Sequence, residues 1–224
     1  MPQLVILDND GVLVDSEPVA NRILADLLTE AGVPTSYEDA LRDYMGGSLG
    51  RVHEVVRART GTVLPADLDE RYHARLFEAF RTELHPVAGA VELVDALARA
   101  GVPYCVASSG THERIRLALD RVGLLSRFSD ITIFSSADVD RGKPAPDLFL
   151  HAATVMHADP SRCVVVEDSA TGVQAALAAG MTVYGYAGMT PADRLAGAHE
   201  IVTDLADLPP LVLGDNAGFP AHDA

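Results

Sequence analysis

The sequence predicts an α/β fold: a doubly wound, parallel (Rossmann-like) sheet carrying an inserted all-helical domain. Three observations predict it. Short apolar runs recur along the chain, LVIL at 4–7, VPYCVA at 102–107, DITIF at 130–134, CVVV at 163–166 and TVYGY at 182–186. Runs of this length without polar alternation suit strands buried on both faces. Between them lie amphipathic stretches, AVELVDALARAG, HERIRLALDRVG and DSATGVQAALAAG, each closing on a glycine suited to end a helix. Strand, helix, strand in repetition packs as a parallel sheet covered on both faces. The third observation is where the alternation stops. From about Asp15 to Glu83 there are only helical patterns: EPVANRILADLLTEAG, YEDALRDYM, SLGRVHEVVRART and DERYHARLFEAFRTEL.

The expected organisation is an α/β core over 1–14 and 85–213, a helical domain over 15–84, and a tail over 214–224. Hinges fall near Asp15 and Leu84–Pro86. The closing GDNAGFPAHDA is polar and carries Gly and Pro, which suits a frayed end. No internal repeat is present.

Composition narrows the function. At 224 residues, 48% of them hydrophobic, the chain can bury a substantial core in one large domain or in one domain with an insertion. A net charge of −15 excludes the basic face of a nucleic-acid binder. It also requires any anionic substrate to be received by a local cation or metal. The N-terminus MPQLVILDND lacks the basic-then-apolar pattern of a signal peptide, and no apolar run approaches the roughly 20 residues that span a bilayer. A cytoplasmic protein with no membrane and no obligate protein partner is expected. Cys105 and Cys163 each sit in an apolar run. Buried free thiols in adjacent strands are expected there rather than a disulfide.

In open α/β sheets the ligand crevice lies beyond the carboxyl ends of the strands. Directly after the proposed strands stand Asp8-Asn9-Asp10-Gly11, Ser108-Ser109-Gly110 and Glu167-Asp168-Ser169, with Lys143 in the loop after ITIF. Taken singly, Asp and Ser there are ordinary helix caps and turn formers. Taken together, Asp8, Asp10, Glu167 and Asp168 converge, and like charges in one crevice repel unless a cation sits among them. A hard divalent ion with oxygen ligands, Mg²⁺, answers that need. Lys143 is the one lysine beside 16 arginines. Pro144 and Pro146 suit a first helical turn, which puts Lys143 at a helix N-terminus, a poor place for a cation without an anion beside it.

These pieces, in this order, resemble the haloacid dehalogenase superfamily of phosphotransferases, and within it the β-phosphoglucomutase-like sugar-phosphate enzymes. ILDNDGVLVDSE is similar to its first motif, ASSG to the second, GKPAPD to the third and VVVEDSATGVQAALAAG to the fourth. The helical insertion after the first motif is where one branch of the superfamily carries its cap. The resemblance implies that Asp8 is the nucleophile that forms an aspartyl-phosphate. Asp10 would be the general acid and then the base, touching the metal through its carbonyl. Ser108 and Ser109, with the following amides, would bind phosphate. Lys143 would orient Asp8 and neutralise the phosphate. Asp168 would complete the Mg²⁺ site with Asp8 and Asp10, and Glu167 would be a further ligand or support one.

The second aspartate favours phosphoryl transfer over dehalogenation, because the dehalogenase branch lacks it. The cap would close over the site and select a small phosphorylated metabolite such as a sugar phosphate, with Glu17, Asn21, Gly47 and Ser48 as its contacts. The turn at Gly46-Gly47-Ser48 has an equal reading as a plain turn with a helix cap. The chain departs from the mutase pattern, having Ala20 where that branch has a cap histidine and Leu49 where it has an arginine. That leaves a phosphatase as the expectation and a sugar phosphomutase as the alternative. Arg51, Arg71, His73 and Arg75 suit solvated helix faces better than replacements for those groups. A receiver-like module would be shorter and lack the insertion, and a non-catalytic phosphate binder would have lost Asp8 or Asp10.

Overall fold

The computed structural model describes residues 1–214. Beyond Gly214, the tail expected over 214–224 lies outside the described residues. In chain order the elements are β1 (Leu4–Leu7), α1 (Glu17–Glu30), α2 (Tyr37–Tyr44), α3 (Leu49–Thr60), α4 (Leu68–Glu83), α5 (Ala90–Arg99), β2 (Tyr104–Ser108) and α6 (His112–Arg121). There follow β3 (Ile133–Ser135), α7 (Asp147–Val155), β4 (Cys163–Glu167), α8 (Ala170–Ala178), β5 (Thr182–Tyr186), β6 (Glu200–Val202) and α9 (Leu208–Leu213). The chain divides into two compact units, one of residues 1–14 with Pro86 onward, the other Asp15–His85.

The first unit is built on a six-stranded sheet in the order β3-β2-β1-β4-β5-β6, every pairing parallel. β1 is central because all four of its residues are apolar and fully buried. On one face Leu4, Ile6, Cys105, Ala107, Val165 and Val183 pack with Leu148, Phe149 and Ala152 of α7 and Val173 and Ala176 of α8. The alternate residues Val5, Leu7, Val106 and Val166 are equally buried, as side chains on the opposite face of a two-sided sheet must be. The strand order reverses at β1, which pairs with both β2 and β4, so the crevice expected at a switch point opens at the carboxyl end of β1.

Three strand expectations are corrected. DITIF begins with a 3-10 turn at Asp130–Thr132, and the strand runs Ile133–Ser135. Ser129 and Thr132 cap that turn reciprocally, with Ser129 N donating to Thr132 Oγ1 at 2.9 Å, which holds the residues out of the ladder. β6 is a strand no apolar run announced, because its three residues begin with the exposed Glu200. Cys105 and Cys163 are free and buried, but β1 lies between their strands: Cys105 pairs with Ile6 and Cys163 with Leu4.

The second unit is four helices. Ser36 and Asp39 form a capping box at the start of α2, and the Ser48 hydroxyl accepts from Arg51 N at 3.3 Å at the start of α3. Leu24, Leu28, Ala40, Tyr44, Val52, Val56 and Leu68 form its core. Among the described residues no helix is long and apolar enough to cross a membrane.

Candidate active site

The site begins where β1 stops. Asp8 N still donates to Val166 O at 3.0 Å, so Asp8 is held by the sheet, after which the chain turns sharply. Asn9 O accepts from both Leu13 N and Val14 N, and Gly11 N donates to Val14 O at 2.8 Å. Gly11 has φ +78°, and a methyl group there would lie 1.9 Å from Asp168 Oδ2. Glycine both permits the left-handed turn and leaves room for the Asp168 carboxylate.

Lys143 is the pivot of the cluster. Its Nζ donates to Asp8 Oδ1 at 2.6 Å, to Glu167 Oε1 at 2.6 Å and to Ala107 O at 3.0 Å, and its side chain is 3% exposed. Three acceptors use the three donors of an ammonium, a geometry a planar guanidinium cannot supply. Lys143 is not at a helix N-terminus, as the prolines suggested. α7 starts at Asp147 after Pro146, and Lys143 stands in the preceding turn, with Ala145 N donating to Gly142 O. The Lys143–Pro144 peptide is cis. Phe149, in the first turn of α7, lies 5.0 Å beneath the ammonium.

Glu167 ends β4 fully buried. Its Oε2 accepts from Ser169 N and Ser169 Oγ, both at 2.9 Å, while Ser169 Oγ in turn caps α8 through Gly172 N. A methyl at Gly172 would lie 1.8 Å from Glu167 Oε1, so α8 comes this close to the carboxylate only with glycine there. Burial pushes the Asp8 carboxyl up to about 7, with Lys143 pulling against the rise and Glu167 and Asp10 adding to it. Desolvation would lower the Lys143 ammonium, but Asp8 and Glu167 outweigh it and hold it above the ordinary lysine value.

Asp8, Glu167 and Asp168 each offer a carboxylate oxygen within 4.8 Å of the others. Three buried carboxylates against one ammonium leave excess negative charge in hard oxygen donors, a set that fits a divalent cation. Both Glu167 oxygens already accept from Lys143 and Ser169, so Asp8 and Asp168 are the better placed to bind it directly.

Asp10 stands beside this cluster, near enough for its charge to raise Asp8. Its carboxylate is not in that group of three. Oδ2 accepts from Arg114 Nη2 at 2.5 Å and from Ser108 Oγ at 3.4 Å. Arg114 was not singled out from the sequence. Thr111 caps α6, accepting from Arg114 N at 3.3 Å, which puts Arg114 in the helix's first turn. A cation there opposes the macrodipole and calls for a nearby carboxylate, a signal the sequence did contain.

The remaining named residues divide. Ser108 is buried, but its hydroxyl also accepts from Gly110 N at 3.1 Å, so that amide is engaged. The Ser109 side chain is exposed, and its carbonyl accepts from Ser136 Oγ at 2.8 Å. In the second unit Asn21 is buried, donating to Glu17 O at 2.8 Å and Glu17 Oε2 at 2.9 Å. Gly47 N closes a turn onto Tyr44 O, and Ser48 is a helix cap, so the plain structural reading of that turn accounts for both. Arg71 and Arg75 pair with Glu30 on the unit's surface.

A family model described as haloacid dehalogenase-like hydrolase matches residues 2–180. The chain belongs to this family. It is 31% identical over 183 residues to the 6-phosphogluconate phosphatase of Escherichia coli K12, a match covering 81% of each chain. A haloacid dehalogenase-like protein from Agrobacterium tumefaciens superposes with a TM-score of 0.86 at 37% identity, over 95% of this chain and 98% of that one. A haloacid dehalogenase family hydrolase from Deinococcus radiodurans, solved with bound phosphate and sodium, superposes at 0.78 with 32% identity, over 98% of both. The chain is thus a haloacid dehalogenase-family phosphatase of a phosphorylated metabolite.

Proposed function

We propose that the protein is a Mg²⁺-dependent phosphatase that hydrolyses a small sugar phosphate through an aspartyl-phosphate on Asp8. The observation that carries this is the Lys143 ammonium bridging the buried Asp8 and Glu167 carboxylates, with Asp168 in the same cluster. The cation would be held by Asp8 and Asp168, with the Asp10 carbonyl as a further donor and Glu167 behind them. The chemistry it supplies when bound is charge neutralisation, so that an anionic phosphate is tolerated beside a carboxylate.

Asp8 attacks phosphorus: a bond forms from its carboxylate oxygen and the bond to the substrate oxygen breaks. Asp10 gives its proton to that leaving oxygen. In the second half a water attacks the same phosphorus, Asp10 takes the water's proton, and the Asp8–phosphorus bond breaks to release inorganic phosphate. Lys143 holds Asp8 in place and sets positive charge beside the transferred group. Rigid strand ends suit this, since phosphoryl transfer depends mainly on positioning and charge.

The activity of the Escherichia coli relative on 6-phosphogluconate supports a sugar-type substrate. Glu17 and Asn21 remain the candidates for selecting it. Ala20 and Leu49, in place of the mutase histidine and arginine, favour hydrolysis over mutation of the phosphate position. The test is phosphate release from a panel of sugar phosphates with Mg²⁺, alongside an assay for hexose 1-phosphate to 6-phosphate conversion. Steady release without isomerisation is expected. Isomerisation without net release would overturn the reading.

A further inference from the structure

Lys143 and Phe149 stand on the two sides of one short turn. Arg141 and Asp147 close that turn with a two-bond fork, Nε to Oδ2 at 2.9 Å and Nη2 to Oδ1 at 2.8 Å. Inside it Ala145 N donates to Gly142 O at 3.0 Å, and α7 starts directly after Pro146. Phe149 is fully buried, in one core cluster with Leu148 and Ala152 of its own helix and Ile6 and Ala107 of the sheet. The turn thereby brings an aromatic face to 5.0 Å from the Lys143 ammonium. Such a face attracts a cation within about 6 Å, most strongly where water is excluded. Water is excluded here, since the Lys143 side chain is 3% exposed. A leucine would serve the apolar core at this place; only a ring also offers the cation a negative face.

We infer that Phe149 is a positioning residue of the phosphatase reaction, its ring face holding the Lys143 ammonium in place while Asp8 carries the phosphoryl group. The ammonium has four supports: Asp8 Oδ1, Glu167 Oε1, Ala107 O and the ring. When an Asp8 oxygen bonds to phosphorus, the carboxylate becomes an acyl phosphate and gives up its own charge. Its hold on Lys143 weakens just when the transferred group needs that positive charge beside it. The other three supports are untouched by the reaction. Of these the ring alone is indifferent to how the ammonium turns, because its attraction acts on the charge and not along an N–H direction. Lys143 can therefore turn an N–H from Asp8 to a phosphoryl oxygen without leaving its place. The inference rests on the reading of Asp8 and Lys143 given above.

The test places phenylalanine analogues with one, two, three and five ring fluorines at position 149 of the full chain by stop-codon suppression. They are assayed with Mg²⁺ on the sugar phosphate turned over fastest in the panel. Each fluorine draws electron density from the ring face and weakens its hold on a cation, while the shape of the ring changes little. The expected result is a stepwise fall in kcat with the number of fluorines, reaching about 3- to 30-fold for five, with KM within about twofold of the parent. Phe149→Leu keeps an apolar side chain, removes the face, and should lose at least as much. The analogues with one to three fluorines carry the test should either extreme not fold. Because Lys143 is the only lysine, ¹⁵N-lysine labelling gives a single ammonium signal, which should move along the series. A flat series, a loss confined to KM, an unmoved ammonium signal, or a loss that follows the position of the fluorines rather than their number would overturn the inference. Asp8→Asn separates the two claims. If it is inactive and the series is flat, only the inference falls. If it turns over at the parent rate with deamidation excluded, the reading of Asp8 falls and takes the inference with it.

Discussion

Replacing Lys143 by Met removes the ammonium and keeps most of the stem's volume. The variant leaves Asp8 Oδ1 and Glu167 Oε1 without their common donor in a place where both carboxylates are buried. Removing one partner of a buried ion pair costs about 3–5 kcal/mol, because the other charge is stranded. That cost depends on pH in a definite direction. Asp8 is raised in the folded protein to about 7 by burial, so between its unfolded and folded values the native state binds more protons and stability falls as pH rises. Lys143 opposes that rise, and without it the Asp8 carboxyl goes higher still. At pH 5 Asp8 is protonated in both proteins and most of the penalty at that carboxyl is absent. The gap widens as pH rises through about 7, where the parent's Asp8 ionises beside Lys143 and the variant's does so less readily. At about 2–4 °C per kcal/mol for a chain of this size, the melting temperature of the variant should lie about 6–20 °C below the parent at pH 8. The gap should narrow clearly at pH 5. The assay is thermal unfolding by circular dichroism in chelator, so that no divalent cation complicates the charge balance. A gap of the same size at both pH values, or none at either, would refute the reasoning that ties Lys143 to the buried carboxylates.

Mg²⁺ should raise the melting temperature of the parent protein by the amount set by its affinity, about 2.7 kcal/mol at a hundredfold excess over Kd. Asp168→Asn should abolish most of that rise, and a rise that persists would place the cation elsewhere. Gly172→Ala forces a methyl against the Glu167 carboxylate, which lies 1.8 Å from where it would sit. Overpacking of this kind costs about 1–3 kcal/mol, and denaturant melts together with turnover should show both stability and activity falling. Asp138 supplies a test at acid pH. Burial alone would raise its carboxyl, but the Ser135 N–H, the hydrogen bond from His112 and the charges of His112 and His151 outweigh it and hold it below the ordinary value. A depressed carboxyl stabilises above its unfolded value and loses that contribution as pH falls through the folded one, below about pH 4. Acid melts of Asp138→Asn should therefore show a shallower decline than the parent there, and an identical slope would contradict the assignment.

The order of elements in the α/β unit was legible because its buried strands are too apolar to be anything else, and three of the six begin or end where their runs do. What escaped was whatever depended on a local polar competition. The Ser129–Thr132 cap took residues from the third strand, and Glu200 hid the sixth. In the site, the carboxylates and Lys143 could be placed because strand ends converge at the switch point. The partners of each could not, since a residue's position along the chain does not say which way its side chain turns. Asp10 turned to Arg114 rather than to the other carboxylates. Lys143 reached Glu167 as well as Asp8 from a turn, not from a helix end. The dipole argument applied to Lys143 belonged with better reason to Arg114, which does sit in a first helical turn.

The account depends most on Asp8 as the group that receives the phosphoryl. The direct measurement is rapid acid quench of the protein turning over a sugar phosphate, followed by mass spectrometry of its peptides. The account predicts a transient phosphoryl adduct on the peptide bearing Asp8, absent in Asp8→Asn, which is also inactive. Phosphate release at full rate with no adduct on Asp8, or undiminished turnover by Asp8→Asn with deamidation excluded, would contradict it.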